Sequence, residues 1–219
     1  MFKDRRNAGR QLAVELSGFA GRVDVIVLGL PRGGVPVAFE VANSLEVSLD
    51  VFLVRKLGVP GNPELAMGAV SSGGIRVLNE DIINSLGISG QAVEEATGRE
   101  MDELRRRERS FRGDRPFPEV GGHTLILVDD GLATGASMRA AVKALETGDP
   151  KRIVVAVPTA PEDVCDSFRR DHVDVFSLEN PVPFYGVGAS YRNFEQTSEQ
   201  EVKSLLEEYR RIESRREER

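Results

Sequence analysis

The stretch Leu125-Ile126-Leu127-Val128-Asp129-Asp130-Gly131-Leu132-Ala133-Thr134-Gly135-Ala136-Ser137 constrains this chain more than any other. Its apolar run has the length of a buried strand rather than of a helix. Two adjacent carboxylates at the end of such a strand are costly to bury unless something polar meets them. Beyond them lies a turn of small residues, then Met138, Ala141, Val142 and Leu145 at helical spacing. A small-residue turn opening a helix presents backbone N–H groups and positive potential, which suits a phosphate. Acids for sugar hydroxyls beside a cradle for phosphate suggest a phosphosugar site.

The rest of the chain repeats the strand-then-helix alternation. Asp4–Leu16 reads as an amphipathic helix with Ala8, Leu12 and Leu16 on one stripe. Val23–Leu30 is a strand-like run ending in Pro31-Arg32-Gly33-Gly34, and a helix follows with Val35, Ala38, Phe39 and Ala42 on its face. Asp50–Val54 is a short apolar run ending in Arg55-Lys56, then a Gly/Pro-rich loop, Leu57–Pro63. Ala69–Leu78 reads as a hairpin about Gly73-Gly74. Ser89–Phe111 reads as a long charged helix, with Gly90 and Gly98 arguing against its continuity. His123–Val128, Arg152–Val157 and Val173–Ser177 read as strands, and Pro161–Arg170 as a helix. A Pro/Gly/aromatic loop and then a charged C-terminal helix, about 198–215, complete the chain.

This order predicts an α/β fold: one domain, 1–219, with a twisted, mostly parallel sheet flanked by helices. Ligands bind such sheets beyond the carboxyl ends of the strands. Three polar clusters, Pro31–Gly34, Arg55-Lys56 and Asp129–Ser137, are placed there by the reading, so they are expected to share one rim.

The bulk numbers are those of an ordinary globular protein. Hydrophobic residues make up 40% of the 219 and charged residues 29%. The formal net charge of -6 argues against nucleic acid as a partner. One cysteine, Cys165, allows no internal disulfide and fits a reducing cytoplasm. The charged N-terminus lacks the apolar core of a signal peptide, and no apolar stretch is long enough to span a bilayer. His123 and His172 have no Cys or Asp cluster near them at the spacing of a zinc site.

The acidic-pair signature, the Arg32-Gly33-Gly34 turn and Arg55-Lys56, in this order and spacing, resemble a type I phosphoribosyltransferase. The Leu-Pro-Arg-Gly-Gly turn and the segment Arg55-Lys56-Leu57-Gly58-Val59-Pro60-Gly61-Asn62-Pro63-Glu64 are most similar to those of a bacterial and archaeal subgroup of that family. The resemblance implies transfer of a 5-phosphoribosyl group from phosphoribosyl pyrophosphate (PRPP) to a nitrogenous base, with release of pyrophosphate. It also implies Mg²⁺ as the cofactor, with Asp129 and Asp130 contributing to its site indirectly, through PRPP. A homodimer is common among such proteins. A regulatory protein that senses PRPP or a nucleotide without turnover is the competing reading.

The same resemblance assigns roles. Asp129 and Asp130 meet the ribose hydroxyls, because carboxylates accept from a vicinal diol. Ala133, Thr134, Gly135, Ala136 and Ser137 cradle the 5-phosphate, with plain N-capping by Thr134 as the alternative. Arg32, Gly33 and Gly34 hold the pyrophosphate, across a strained or cis bond at Pro31–Arg32. Arg55 and Lys56 neutralise the leaving pyrophosphate, and the 57–68 loop is a flexible element able to close over the site. Residues 178–197 correspond to the family's variable hood, where Phe184, Tyr185, Tyr191 or Phe194 offers a ring for a base to stack on, with packing in a satellite core as the equal alternative. Two positions depart from the pattern. Ala133 stands where some oxopurine-specific relatives carry an acid, and Gly131 replaces a bulkier residue, which is expected to loosen the strand end.

Overall fold

A computed structural model describes residues 1–218. In chain order the elements are α1 (Arg5–Glu15), β1 (Val25–Gly29), α2 (Gly34–Leu45), β2 (Ser48–Val51), β3 (Val54–Val59), β4 (Asn62–Ser71), β5 (Ile75–Leu78), α3 (Glu80–Ser85), α4 (Gly90–Arg112), β6 (Thr124–Val128), α5 (Ala136–Glu146), β7 (Arg152–Thr159), α6 (Glu162–Arg170), β8 (Asp174–Glu179) and α7 (Glu199–Glu217). They form two compact units. The first comprises Met1–Val51, Val120–Gly135 and Asp149–Arg219; the second comprises Phe52–Glu119 and Ala136–Gly148.

The first unit holds a five-stranded sheet in the order β2-β1-β6-β7-β8, with every neighbouring pair parallel. Strands β1 and β6 are buried along their whole length, as continuous apolar runs in a covered parallel sheet must be. Helices α1, α2, α6 and α7 flank this sheet. Asp4 caps α1 by accepting from the Asn7 amide, and Ser198 caps α7 by accepting from that of Glu201. The Tyr209 ring of α7 meets Phe39 of α2 edge-on, and its hydroxyl donates to the Val47 carbonyl. The fold class is therefore the expected one: a parallel sheet flanked by helices.

The second unit is different in kind. Its sheet, β3-β4-β5, is antiparallel throughout and packs with α4 and α5. The expected hairpin over Ala69–Leu78 is present as β4 and β5. Helix α4 runs unbroken through Gly98, with Ser89 as its N-cap. Two expectations are corrected here. The segment 57–68 is not an irregular loop: it forms much of the β3–β4 hairpin, turning at Pro60-Gly61 with Gly61 at φ 81°. Proline then glycine with positive φ is the signature of a type II turn. Nor does Arg55-Lys56 end a parallel strand. The parallel strand stops at Val51, and both residues lie inside β3. Gly58 sits at a register shift in this hairpin, where a β-carbon would lie 2.9 Å from the Pro63 Cα.

Candidate functional site

Strands β1 and β6 are neighbours, and the sheet runs in opposite directions away from them, to β2 on one side and to β7 and β8 on the other. The region beyond their carboxyl ends is thus a topological switch point, where open parallel sheets bind ligands. Two of the three clusters read from the sequence meet there. The Leu30 amide donates to the Val128 carbonyl at 2.9 Å, tying the end of β1 to the end of β6. The next peptide bond, Pro31–Arg32, is cis, as expected. The Arg32 side chain is exposed at this turn.

Gly33 and Gly34 press the turn onto the acidic pair. A β-carbon on Gly33 would fall 2.0 Å from Asp130 Oδ2, and one on Gly34 would fall 2.8 Å from the Asp129 Cα. No side chain fits at either position. The Asp130 amide donates to Asp129 Oδ1 at 2.8 Å, and Arg5 Nε donates to Asp130 Oδ2 at 2.7 Å. One oxygen of each carboxylate is thereby engaged within the protein. The two carboxyls also interact side chain to side chain, and among the described residues no other side chain donates to the pair. Burial, then the charge of Asp130, pushes the Asp129 carboxyl well above the usual carboxylate range. Burial also raises Asp130, against the pull of Arg5.

Beyond the pair, Gly131 and Leu132 are buried, and the Leu132 amide donates to the Thr159 carbonyl at 2.9 Å. Ala133 and Thr134 are exposed, Gly135 takes φ 71°, and Ala136 opens α5 with Ser137 exposed in its first turn. The stretch Ala133–Ser137 therefore has the form expected of it: a bare turn leading into a helix N-terminus. The expected loosening at Gly131 is not found. A β-carbon there would meet Val187 Cγ1 at 2.6 Å and Thr159 Cγ2 at 2.9 Å, so those side chains fill the space.

The remaining cluster belongs to the second unit. Arg55 is ion-paired with Glu100 of α4. Lys56 is exposed and lines a cavity of about 610 Å³ together with Arg139 and Lys143 of α5 and Glu80 and Asp81 of α3. Among the described residues no group of three or more His, Cys, Asp or Glu side chains could hold a metal by itself.

The sequence singles out no role for Arg5. For Tyr191 and Phe194 it leaves base stacking and packing in a satellite core equally open, and the structure shows Tyr191 packed. Tyr191 is buried, with Phe2 and Phe194 rings at 5.5 and 5.0 Å, and its hydroxyl donates to the Asp130 carbonyl at 2.6 Å. Phe194 is covered by the Arg5 guanidinium, 3.9 Å from its centroid. Tyr185, at 84% exposure, is the most exposed ring of this segment.

A family model described as a phosphoribosyl transferase domain matches residues 2–192. The chain belongs to the phosphoribosyl transferase family. Among its relatives is a Mycobacterium tuberculosis protein named "Putative phosphoribosyl transferase Rv0571c", 45% identical over 207 residues, which are 94% of this chain and 46% of that protein. The chain thus spans about half the length of that relative. A bifunctional protein PyrR of Roseiflexus is 34% identical over 157 residues, 70% of this chain and 66% of that one. The crystal structure of TT1426 from Thermus thermophilus superposes with a TM-score of 0.83 at 43% identity, covering 94% of this chain and 97% of the other. The acidic pair, the glycine turn and the cis bond of this chain all lie within the matched residues. No helix among its described residues is long and apolar enough to cross a membrane.

Proposed function

We propose that this chain transfers the 5-phosphoribosyl group of PRPP to a nitrogenous base and releases pyrophosphate. The observation that carries the proposal is the Asp129–Asp130 pair. It stands at the switch point of the sheet with one oxygen of each carboxylate already engaged. The acceptor capacity left on the pair is the complement of two neighbouring hydroxyls. The Arg32-Gly33-Gly34 turn against it suits the pyrophosphate, with backbone N–H groups that no β-carbon screens. The 5-phosphate goes to Ala133–Ser137, where small residues admit an anion to the backbone and the start of α5 supplies positive potential.

Mg²⁺ fits this donor set. Asp129 and Asp130 offer hard oxygens, and Mg²⁺ is typically held by one or two carboxylates together with substrate phosphates. Bound, it supplies charge neutralisation at the diphosphate. The chain's own residues position the sugar and stabilise charge. As the bond from C1 to pyrophosphate breaks, positive charge develops on the ring and negative charge on the leaving group. Arg32 is the cation of the first unit assigned to the latter, and the family resemblance gives Arg55 and Lys56 the same role. A nitrogen of the base forms the new bond to C1. Alanine at 133 cannot exchange a proton with that base, so another group must do so if the base needs it. The carboxylates touch the sugar rather than the base, so this reading leaves the base open.

The test is isotope exchange between labelled pyrophosphate and PRPP, with Mg²⁺ and a panel of bases, in the protein and in Asp129→Asn. Exchange that the substitution abolishes supports the transferase. PRPP binding without exchange under every base assigns the chain to sensing instead. Exchange unaffected by Asp129→Asn removes the pair from the chemistry.

A further inference from the structure

We infer that Arg5, at the start of α1, is a positioning residue that fixes Asp130 for the ribose, with Tyr191 and Phe194 as its supports. The inference rests on the PRPP reading above and adds three residues that the family signature does not contain.

Arg5 spends its guanidinium on three neighbours at once. Nε donates to Asp130 Oδ2 at 2.7 Å, Nη1 donates to the Glu195 carbonyl at 2.6 Å, and the flat face lies on the Phe194 ring at 3.9 Å. A planar fork can do this; an ammonium cannot. Phe194 in turn stacks on Tyr191, whose hydroxyl holds the carbonyl of the same Asp130. Asp130 is therefore gripped at its carboxylate by the first helix and at its backbone by the segment before α7. These two grips are themselves laced together. The Phe2 amide donates to the Ser190 carbonyl, the Arg192 amide to the Phe2 carbonyl and the Asn193 amide to the Lys3 carbonyl.

Folding alone gives little reason for such a pair. The two side chains are only 12% and 15% exposed. The loss of hydration for two charges largely offsets their attraction, and an apolar pair would often serve stability as well or better. The geometry does have a use at a site. With Oδ2 held by Arg5, Asp130 cannot rotate freely, and Oδ1 is kept in one orientation as an acceptor. The space for this arrangement exists because position 33 lacks a β-carbon; one placed there would fall 3.2 Å from Arg5 Nε and 2.0 Å from Asp130 Oδ2. Arg5, Gly33 and Asp130 thus form one contact, contributed by three separate parts of the chain.

The test is calorimetric titration of PRPP and Mg²⁺ into the protein, Arg5→Gln, Arg5→Lys, Phe194→Leu, Asp130→Asn and the Arg5→Gln/Asp130→Asn double variant. These run alongside KM and kcat for the exchange reaction. Arg5→Gln should weaken PRPP at least tenfold while leaving the KM of the accepting base within twofold. Arg5→Lys should rescue it only in part, and Phe194→Leu, which keeps every charge, should weaken PRPP severalfold. In the Asp130→Asn background, Arg5→Gln should add nothing further, because the residue it positions is gone. Equal PRPP affinity in Arg5→Gln and the parent overturns the inference, as does a fully additive loss in the double variant. A parent protein that does not bind PRPP at all overturns the functional reading itself, which is a separate result. If Arg5→Gln fails to fold, Phe194→Leu decides alone by the same criterion.

Discussion

A β-carbon on Gly33 would lie 2.0 Å from Oδ2 of Asp130. The glycine is thus set by its neighbour's carboxylate. Gly33→Ala must either tilt the turn or turn Asp130 away. Forcing a methyl group into a packed site costs about 1–3 kcal/mol. Chemical denaturation should show a loss in that range, with PRPP affinity falling as well. Unchanged stability together with unchanged affinity would mean that the turn and the carboxylate are not in contact.

Asp129 presents the opposite balance. Burial and the adjacent Asp130 raise its proton affinity in the folded protein. Such a group contributes stability when protonated, and the contribution is lost as pH rises from the ordinary aspartate range through the raised value. Asp129→Asn cannot ionise and escapes that loss. Its Tm should exceed the parent's at pH 7, by a margin that shrinks as pH is lowered toward the ordinary aspartate range. PRPP binding should meanwhile weaken roughly 10- to 100-fold, the worth of a hydrogen bond to a charged acceptor. A variant less stable at pH 7 would refute the electrostatic account.

Tyr209 governs the alkaline limb. Burial pushes its hydroxyl up to about 12 from an ordinary 10. The proton is held more tightly in the folded state, so the contribution is complete below pH 10 and disappears between pH 10 and about 12. Tyr209→Phe should cost about 1 kcal/mol at neutral pH, the net value of the bond to the Val47 carbonyl. The parent's advantage shrinks above pH 10, and the two denaturation curves should converge there. A constant gap across that range would contradict the assignment.

Lys56 separates chemistry from folding. It is exposed and makes no ion pair among the described residues. Lys56→Ala should leave stability within about 0.5 kcal/mol, yet lower kcat of the exchange reaction by roughly 10²–10³ if it neutralises leaving pyrophosphate. Normal turnover in this variant would withdraw Lys56 from the site.

The parallel sheet was legible because β1 and β6 are buried along both faces and are therefore written as unbroken apolar runs. The acidic pair was legible for the complementary reason: two charges at the end of such a run demand a function. The β3–β4 hairpin was hidden by Gly58, Pro60, Gly61 and Pro63, which read locally as strand breakers. Two of them build the turn, and Gly58 makes room for Pro63 at a register shift. Arg5 was hidden more deeply. Its partner lies 125 positions away, and nothing in a helical pattern of Arg5, Arg6 and Arg10 marks the first as buried. Tyr191 was noticed as a ring, whereas its hydroxyl is the part that acts on Asp130.

Val187 Cγ1 occupies the volume that a side chain at Gly131 would need. The acidic signature and the segment before α7 are therefore sized to each other. Transplanting either one from a relative with a bulkier residue at the equivalent of 131 would produce a clash or a hole. Loop grafting in this protein requires positions 131 and 187 to change together, large for small, as a matched set.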